Sequence, residues 1–342
     1  MRKIRVLVVE DSMVFRNLLV QGLNQDRALE VVATASDPFE ARDQIIEYRP
    51  DVMTLDIELP RMSGLEFLRK LMPQYPLPVV IISALSEKVF DAMKAGAVDF
   101  VAKPQVTERE QLRNFLCSEL PVKIKVASTA HVSRYKKPVV FAADQHLSVR
   151  SDIDIIAIGA STGGTEAIAE VIRDFSTDIP GTVIVQHMPP GFTEMYANRL
   201  DSQSRVKVKE AKNGDMVAHG QVLIAPGGSE HMSIVKVGDN YKVVLKKGEK
   251  VNGHCPSVDV LFNSVADVAG AHAIGIILTG MGGDGAKGLL KMQKNGARTI
   301  GQDEASCIVY GMPKVAYDLG AVMYQEKLSD IAKKIYTLLN QR

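Results

Sequence analysis

Acidic side chains follow two apolar runs in the first third of the chain. Glu10 and Asp11 come directly after the run 4–9, and Asp56 follows the run 52–55. In an open parallel sheet the carboxyl ends of the strands flank the ligand crevice, so these carboxylates are expected to converge. Converging carboxylates repel one another, and an oxygen-bound Mg²⁺ would relieve that repulsion. The pattern predicts a Mg²⁺ site in which a carboxylate receives a phosphoryl group.

Two further polar residues end the next apolar runs. Ser83 follows the run 79–82, and Lys103, which precedes Pro104, follows the run 98–101. A hydroxyl there is suited to hold a phosphoryl oxygen, and the lysine ammonium would add a point charge to the same oxygens. One loop carboxylate alone is most often only solvated, but chemically compatible residues at four strand ends argue against that interpretation.

A serine occupies the turn GASTGG, which follows the apolar run 153–158. Gly159 to Gly163 fit the G-x-S-x-G elbow, in which small neighbours expose a nucleophilic hydroxyl, here that of Ser161. Two alternatives compete with a nucleophile. The turn alone is explained at least as well by a helix cap, in which a hydroxyl accepts from the first free amides. A dinucleotide site is disfavoured because the G-x-G-x-x-G pattern needs glycine in place of Ser161.

Two later strand-like runs end near residues that favour the nucleophile over the helix cap. His187 ends the run 182–186, and Asp284 lies in the glycine-rich loop after the run 273–279. If the strands are neighbours, His187 would serve as the base that a weakly nucleophilic serine needs, and Asp284 would orient its ring. Either residue alone is as easily structural, His187 as a hydrogen-bonded histidine and Asp284 as a turn or cap residue. The order Ser–His–Asp differs from the Ser–Asp–His order of α/β-hydrolases, so an ordinary member of that fold is disfavoured.

Alternating segments must position the first group of side chains. Apolar runs at 4–9, 30–33, 52–55, 79–82 and 98–101 alternate with segments of helical spacing at 13–24, 37–47, 64–72, 87–94 and 107–118. Such alternation predicts a five-stranded parallel sheet with helices on both faces. Residues 1–120 are therefore expected to form one flavodoxin-like α/β domain.

The pattern changes over residues 121–152, which show no sustained helical period and hold six Lys or Arg against two Asp. We interpret this segment as a partly extended, basic interdomain linker, in which 139–141 alternatively form a short strand or a docking segment. Residues 153–342 are expected to form a second α/β domain, doubly wound and mainly parallel. The strand-like runs over 232–246 predict an antiparallel hairpin in it.

Composition limits the classes of protein that fit. The 342 residues hold 41 Lys and Arg against 40 Asp and Glu, and 46% are hydrophobic, as in an ordinary globular protein of about two domains. The net charge of +1 gives no electrostatic indication of nucleic-acid binding. No apolar run approaches the length of a membrane span, and the widely spaced Cys117, Cys255 and Cys307 suggest neither a disulfide framework nor a zinc site. We expect a soluble protein of a reducing, cytoplasmic compartment.

Over about residues 3–120 the sequence resembles the response-regulator receiver domain. The matching residues are Glu10-Asp11, Asp56, Ser83-Ala84 and Lys103-Pro104, with Phe100 at the aromatic switch position. The resemblance implies phosphorylation of Asp56, with Mg²⁺ held by the carboxylates of Glu10, Asp11 and Asp56 and by the backbone carbonyl of Glu58. Glu10 stands where many members of the family have aspartate, which would alter the metal geometry without abolishing binding.

Over about residues 152–342 the sequence resembles the catalytic domain of the chemotaxis protein-glutamate methylesterase family, CheB. The resemblance is carried by GASTGG, QHMPPGFT, IAPGG at 224–228, PSVDVLFNSVA at 256–266 and LTGMGGDGAKG at 278–288. It implies a catalytic triad of Ser161, His187 and Asp284, with the amides of Met281 and Thr162 stabilising the oxyanion. His231 and His254 receive no role from the sequence.

The two resemblances together imply a phosphorylation-activated hydrolase that acts in chemotactic adaptation. It would remove methyl groups from glutamate γ-methyl esters of chemoreceptors, release methanol and also deamidate receptor glutamines. A CheA-type histidine kinase is the expected phosphodonor, and ester hydrolysis itself is expected to need no cofactor. The alternatives are a non-catalytic response regulator that binds a partner or DNA and, less well supported, a nucleotide-dependent oxidoreductase.

Overall fold

A computed structural model describes residues 2–105, 107–132 and 152–341 of the chain. The chain divides into two units, Met1–Val139 and Val140–Arg342, and each has its own sheet and core. No helix within the described ranges is both long enough and apolar enough to cross a membrane.

The first unit is built on a five-stranded parallel sheet of order β2-β1-β3-β4-β5, as predicted. Its strands are β1 (Ile4–Val9), β2 (Leu29–Ala35), β3 (Val52–Asp56), β4 (Val79–Ser83) and β5 (Asp99–Ala102). Its helices are α1 (Met13–Leu23), α2 (Pro38–Tyr48), α3 (Gly64–Leu71), α4 (Lys88–Lys94), α5 (Arg109–Asn114) and α6 (Leu120–Ala127). The order places β1 beside β3, so the side chains that follow these strands emerge at one edge of the sheet.

Local sequence explains where the first helices begin. The Ser12 hydroxyl accepts from the amide of Phe15 at the start of α1, and the Asp37 carboxylate accepts from the amides of Phe39 and Glu40 at the start of α2. Each side chain satisfies donors that have no partner inside the helix. The α1 cap lies just after Glu10 and Asp11, so it also fixes the backbone next to these two acids.

The predicted start of the linker, at residue 121, is wrong, because the residues up to Ala127 are helical. One π-helical turn, Phe115–Glu119, joins α5 to α6. That turn interrupts the 3.6-residue period, so the sequence pattern stops although the helix continues. Leu120 and Ile124 are fully buried, and Lys125 pairs with Asp26 of the same unit. Residues 133–151, which include the alternative strand 139–141, lie outside the described residues.

The second unit combines a parallel sheet of order β15-β14-β13-β6-β7-β10-β8 with an antiparallel sheet of order β11-β12-β9. Its strands are β6 (Ile155–Ala160), β7 (Gly181–Gln186), β8 (Lys207–Glu210), β9 (Met216–Val217), β10 (Gln221–Ile224), β11 (Glu230–Val237), β12 (Asn240–Lys247), β13 (Ala273–Ile277), β14 (Arg298–Gln302) and β15 (Tyr324–Glu326). Its α-helices are α7 (Gly164–Arg173), α8 (Phe192–Gln203), α9 (Val258–Ala269), α10 (Ala286–Lys294), α11 (Met312–Asp318) and α12 (Leu328–Leu339). The predicted mainly parallel sheet and the predicted hairpin, β11–β12, are both confirmed.

Three neighbouring strands, β13, β6 and β7, lie at the centre of the parallel sheet. Helix α9 packs closely on them, since a Cβ atom on Gly159 of β6 would lie 2.2 Å from Cγ1 of Val258. Only glycine allows this approach. The start of α9 is therefore held against the strand that leads to Ser161.

Candidate functional site

Ser161 directly follows β6 and precedes α7. Its amide donates to the carbonyl of Thr279, and Gly163 turns the chain with a φ of 76°. The helix-cap alternative fails for this serine, because the N-cap residue of α7 is Gly163. The side chain of Ser161, in a residue 7% exposed, is therefore not used to terminate the helix.

His187 occupies the corresponding place on the neighbouring strand. Ala160 pairs with Gln186 across β6 and β7, and the amide of His187 donates to the carbonyl of Ala160 at 3.1 Å. The buried Gln186 side chain bridges the two turns, since its Nε2 donates to the carbonyls of Ser161 and His187 at 2.9 and 3.2 Å. The predicted neighbourhood of Ser161 and His187 thus follows directly from strand register.

The His187 ring is oriented by Asp284. Nε2 of His187 donates to Oδ2 of Asp284 at 2.9 Å, and both side chains are buried. Because Nε2 carries the proton, Nδ1 is left as the basic nitrogen. Nδ1 is buried and has no hydrogen-bond partner among the described residues, so the hydrogen bond expected from Ser161 is not formed. Such bonds are often long without substrate and tighten when it binds.

Asp284 is held as an anion by the segment 252–259. Its Oδ1 accepts from the Asn252 amide group at 2.8 Å and from the Ser257 hydroxyl at 2.7 Å. Its two oxygens also accept from the backbone amides of Val258 and Asp259 at the start of α9. Burial opposes the charge, but the hydrogen bonds from His187, Asn252 and Ser257 outweigh it and lower the pKa of Asp284 well below its usual range.

The same segment explains two histidines that the sequence left without a role. Nδ1 of His231 accepts from the amide of Ser257 at 3.1 Å, and its Nε2 donates to the carbonyl of Glu249 at 2.8 Å. His231 therefore secures the loop that contacts Asp284. His254 lies on this loop, with its ring parallel to that of His187 at a centroid distance of 3.7 Å.

The loop after β13 lies against the turn that carries Ser161. A Cβ atom on Gly280 would lie 2.7 Å from Cβ of Ser161, so only glycine allows this approach. The next residue, Met281, is 47% exposed, and its amide makes no hydrogen bond within the described part of the chain. Thr162 is buried, and its carbonyl accepts from the Thr279 hydroxyl at 3.0 Å. The backbone next to Ser161 therefore includes an amide that is available for an oxyanion.

Sequence reasoning missed the residues that support the site. Gln186 and Ser257 lie within the segments QHMPPGFT and PSVDVLFNSVA, but neither segment indicated a role for them, and Asn252 lies outside every quoted motif. The roles of all three depend on contacts between distant segments. The signal that could have found Ser257 is its position just before an apolar helical segment, typical of an N-cap. In the structure its hydroxyl instead donates to Asp284, and the Asp284 carboxylate accepts from the first amides of α9.

The predicted acidic site in the first unit is also assembled. Carboxylate oxygens of Glu10, Asp11 and Asp56 all lie within 4.8 Å of one another. Nζ of Lys103 lies 2.8 Å from Oε2 of Glu10 and 2.6 Å from Oδ2 of Asp56. Ser83 is buried at the end of β4, and its carbonyl accepts from the Lys103 amide at 2.7 Å.

The electrostatics of this cluster fit a cation. Burial, reinforced by the charge of Asp56 and partly offset by Lys103, raises the pKa of Glu10 to about 7. Burial opposes the charge of Lys103, but its hydrogen bonds to Asp56 and Glu10 raise the pKa of this lysine. A group of oxygen donors in which ionisation of one acid is unfavourable suits Mg²⁺, which would neutralise the excess negative charge.

Of the two other predicted receiver residues, Glu58 lies beside this cluster and Phe100 packs within the core of the unit. The amide of Glu58 donates to Oδ1 of Asp56 at 2.9 Å, which places its backbone next to the acids. Phe100 is buried in β5 and packs edge to face on Phe90 at a centroid distance of 6.2 Å.

Comparison with known proteins identifies a family for each half of the chain. The sequence profile of the CheB methylesterase family matches residues 156–335, and that of the response regulator receiver domain matches residues 6–116. A protein-glutamate methylesterase/protein-glutamine glutaminase of Syntrophomonas wolfei is 61% identical over the whole chain and 99% of its own length. One of Syntrophotalea carbinolica is 52% identical, with the same coverage of both chains.

A solved structure resembles the second unit. The CheB methylesterase catalytic domain of Thermotoga maritima is 38% identical, with a TM-score of 0.53, and the match covers 54% of this chain and 98% of that one. The full-length similarity and the family profile together show that this chain belongs to the CheB methylesterase family and carries a response regulator receiver domain before its methylesterase domain.

Proposed function

We propose that this protein is a phosphorylation-activated hydrolase of glutamate γ-methyl esters on chemoreceptors, acting in the cytoplasm in chemotactic adaptation. The observation that carries the proposal is the His187–Asp284 hydrogen bond at the end of the strand that neighbours Ser161. The named activity of the relatives supports the choice of substrate.

The proposed reaction begins with attack of Ser161 Oγ on the ester carbonyl carbon. Nδ1 of His187 takes the hydroxyl proton, and the charge of Asp284 stabilises the resulting imidazolium. The amide of Met281, joined by that of Thr162, donates to the oxyanion. Collapse of the tetrahedral intermediate breaks the ester C–O bond, and His187 returns its proton to the departing methoxide as methanol.

Water completes the cycle. It attacks the acyl carbon on Ser161 while Nδ1 of His187 accepts its proton, and that proton returns to Oγ as the glutamate carboxylate leaves. An amide passes through a similar tetrahedral species, so glutamine side chains of the receptor would be deamidated at the same site. The relatives' names include glutaminase activity, which supports this second reaction. Neither step needs a cofactor.

In the receiver, Asp56 would accept a phosphoryl group from a CheA-type histidine kinase. Glu10, Asp11, Asp56 and the carbonyl of Glu58 would hold Mg²⁺, which neutralises charge during phosphoryl transfer. Lys103 and Ser83 would bind the phosphoryl oxygens, and Phe100 would respond to the new charge.

The proposed roles correspond to two domains joined by a short segment. Residues 1–120, extended by α6 to Ala127, would form the receiver domain, and residues 153–342 the methylesterase domain. The segment between them would couple phosphorylation to hydrolysis, and its basic residues favour an electrostatic contribution.

The nucleophile is tested by labelling with a fluorophosphonate ester, followed by peptide mass spectrometry. The expected adduct lies on Ser161, and His187→Ala should slow its formation at least about 100-fold because the base is lost. An adduct elsewhere, or an unchanged rate in the variant, contradicts the assignment.

The switch is tested by comparing the wild type with Asp56→Ala after treatment with a small phosphodonor and Mg²⁺. Stimulation of methanol release is expected in the wild type only. Equal stimulation of both proteins rules out Asp56 as the switch.

A further inference from the structure

The face of the His187 ring is covered by another imidazole. The His254 ring lies 3.7 Å from it between centroids, with an interplanar angle of 7°. This is a close parallel stack, because neighbouring aromatic pairs usually have centroid separations of about 4.5–7 Å. The proposed ester hydrolysis assigns no step to His254.

His254 is held by a tightly turned segment. Val251 and His254 exchange both backbone hydrogen bonds at 3.0 Å, and Asn252 between them has a φ of 52°. A left-handed conformation is uncommon for a residue other than glycine and persists where surrounding contacts impose it. Nδ2 of Asn252 donates hydrogen bonds to the carboxylates of Asp259 and Asp284, at 2.7 and 2.8 Å.

One loop therefore contacts both partners of the catalytic pair. Asn252 and Ser257 bond the carboxylate of Asp284, and His254 covers the ring of His187. The hydrogen bond to Asp284 fixes one atom of the imidazole, but the ring can still tilt about that contact. A flat ring stacked in parallel blocks the tilt on one side, so it restricts the plane in which Nδ1 points.

We propose that His254 is a positioning residue, which keeps Nδ1 of His187 in the orientation needed to take the Ser161 proton. This inference rests on the proposed role of His187 as the base. The restriction matters because Nδ1 has no hydrogen-bond partner among the described residues, so no hydrogen bond fixes that edge of the ring. The stacked face would also stabilise the imidazolium formed during attack, as an aromatic face does for other cations.

The stack should affect the rate constant and leave substrate affinity unchanged. A small misorientation of a catalytic base slows proton transfer without weakening binding of the ester. Replacing His254 by alanine should lower kcat about tenfold and leave KM within about twofold. A flat apolar ring should substitute, so His254→Phe should keep kcat within about threefold of the wild type.

The test measures kcat and KM for methanol release by the full chain after phosphodonor treatment, for His254→Ala, His254→Phe and His254→Leu. Leucine fills space without a flat ring, so it should resemble alanine. His219→Ala is the matched control, because His219 is an exposed histidine of the same unit whose Nδ1 contacts the carbonyl of Asp178. Thermal unfolding by circular dichroism identifies any variant that fails to fold. If His254→Ala does not fold, comparison of kcat between His254→Phe and His254→Leu still tests whether a flat ring is required.

The outcomes separate this inference from the proposed function. If His187→Ala retains full activity in the same assay, the base assignment itself fails. If His187→Ala is inactive while His254→Ala equals the wild type, only the positioning role fails. A His254→Phe variant as slow as His254→Ala, or an effect confined to KM, also overturns it.

Discussion

Nε2 of His187 lies 2.9 Å from Oδ2 of Asp284, and the carboxylate accepts four further hydrogen bonds from the segment 252–259. A buried carboxylate with so many donors remains ionised, as the lowered pKa of Asp284 indicates. The relationship fixes which imidazole nitrogen carries the proton. It thereby leaves Nδ1, on the other side of the ring, as the base.

Asp284→Asn should lower kcat by about 10² to 10⁴ without preventing folding. The neutral amide neither stabilises the imidazolium nor enforces a proton on Nε2, so the wrong tautomer becomes accessible. Steady-state methanol release measures the loss, and circular dichroism checks the fold. A variant with at least a tenth of the wild-type kcat would contradict a catalytic role for this carboxylate.

Gly280→Ala should reduce kcat by about 100-fold, because the added Cβ atom would lie 2.7 Å from Cβ of Ser161 and displace the Met281 amide. The matched control is Gly283→Ala in the same loop. The three atoms nearest to its Cβ atom would all belong to the Val315 side chain, the closest at 3.1 Å, so this substitution should lower kcat less than about threefold. Equal effects of the two substitutions would argue against a role for the Gly280 contact.

The strand-end residues were accessible from the sequence because buried parallel strands read as apolar runs and share a crevice at their carboxyl ends. Ser161 and His187 follow such runs directly. The support of Asp284 by Asn252 and Ser257 was not accessible, since it depends on how a distant loop folds back. The π-helical turn hid α6 for a different reason, because it shifts the apolar period by one residue.

Ile124→Ala should destabilise the receiver by about 2–5 kcal/mol, since this side chain of α6 is fully buried. Val122→Ala is the control in the same helix, because Val122 is 56% exposed and its truncation should change stability by less than about 0.5 kcal/mol. Urea unfolding of the full chain, followed in the receiver transition, distinguishes them. Equal stabilities would mean that α6 does not belong to the receiver core.

Cys307 should resist alkylation far more strongly than Cys117. Burial, reinforced by the charge of Asp303, raises the pKa of the Cys307 thiol to about 12. A raised pKa means less thiolate, so at pH 8 only on the order of 10⁻⁴ of this thiol would be reactive. Cys117 is exposed. Iodoacetamide labelling at pH 8 with peptide mass spectrometry measures both rates, and comparable rates in the folded protein would contradict the burial of Cys307.

Ser161 is the proposed nucleophile of the ester hydrolysis. The decisive measurement of this role is methanol release from methylated chemoreceptor membranes by phosphodonor-treated wild type and Ser161→Ala. Steady release is expected from the wild type, with a loss of about 10³-fold or more in the variant. Full activity of Ser161→Ala would rule out Ser161 as the nucleophile.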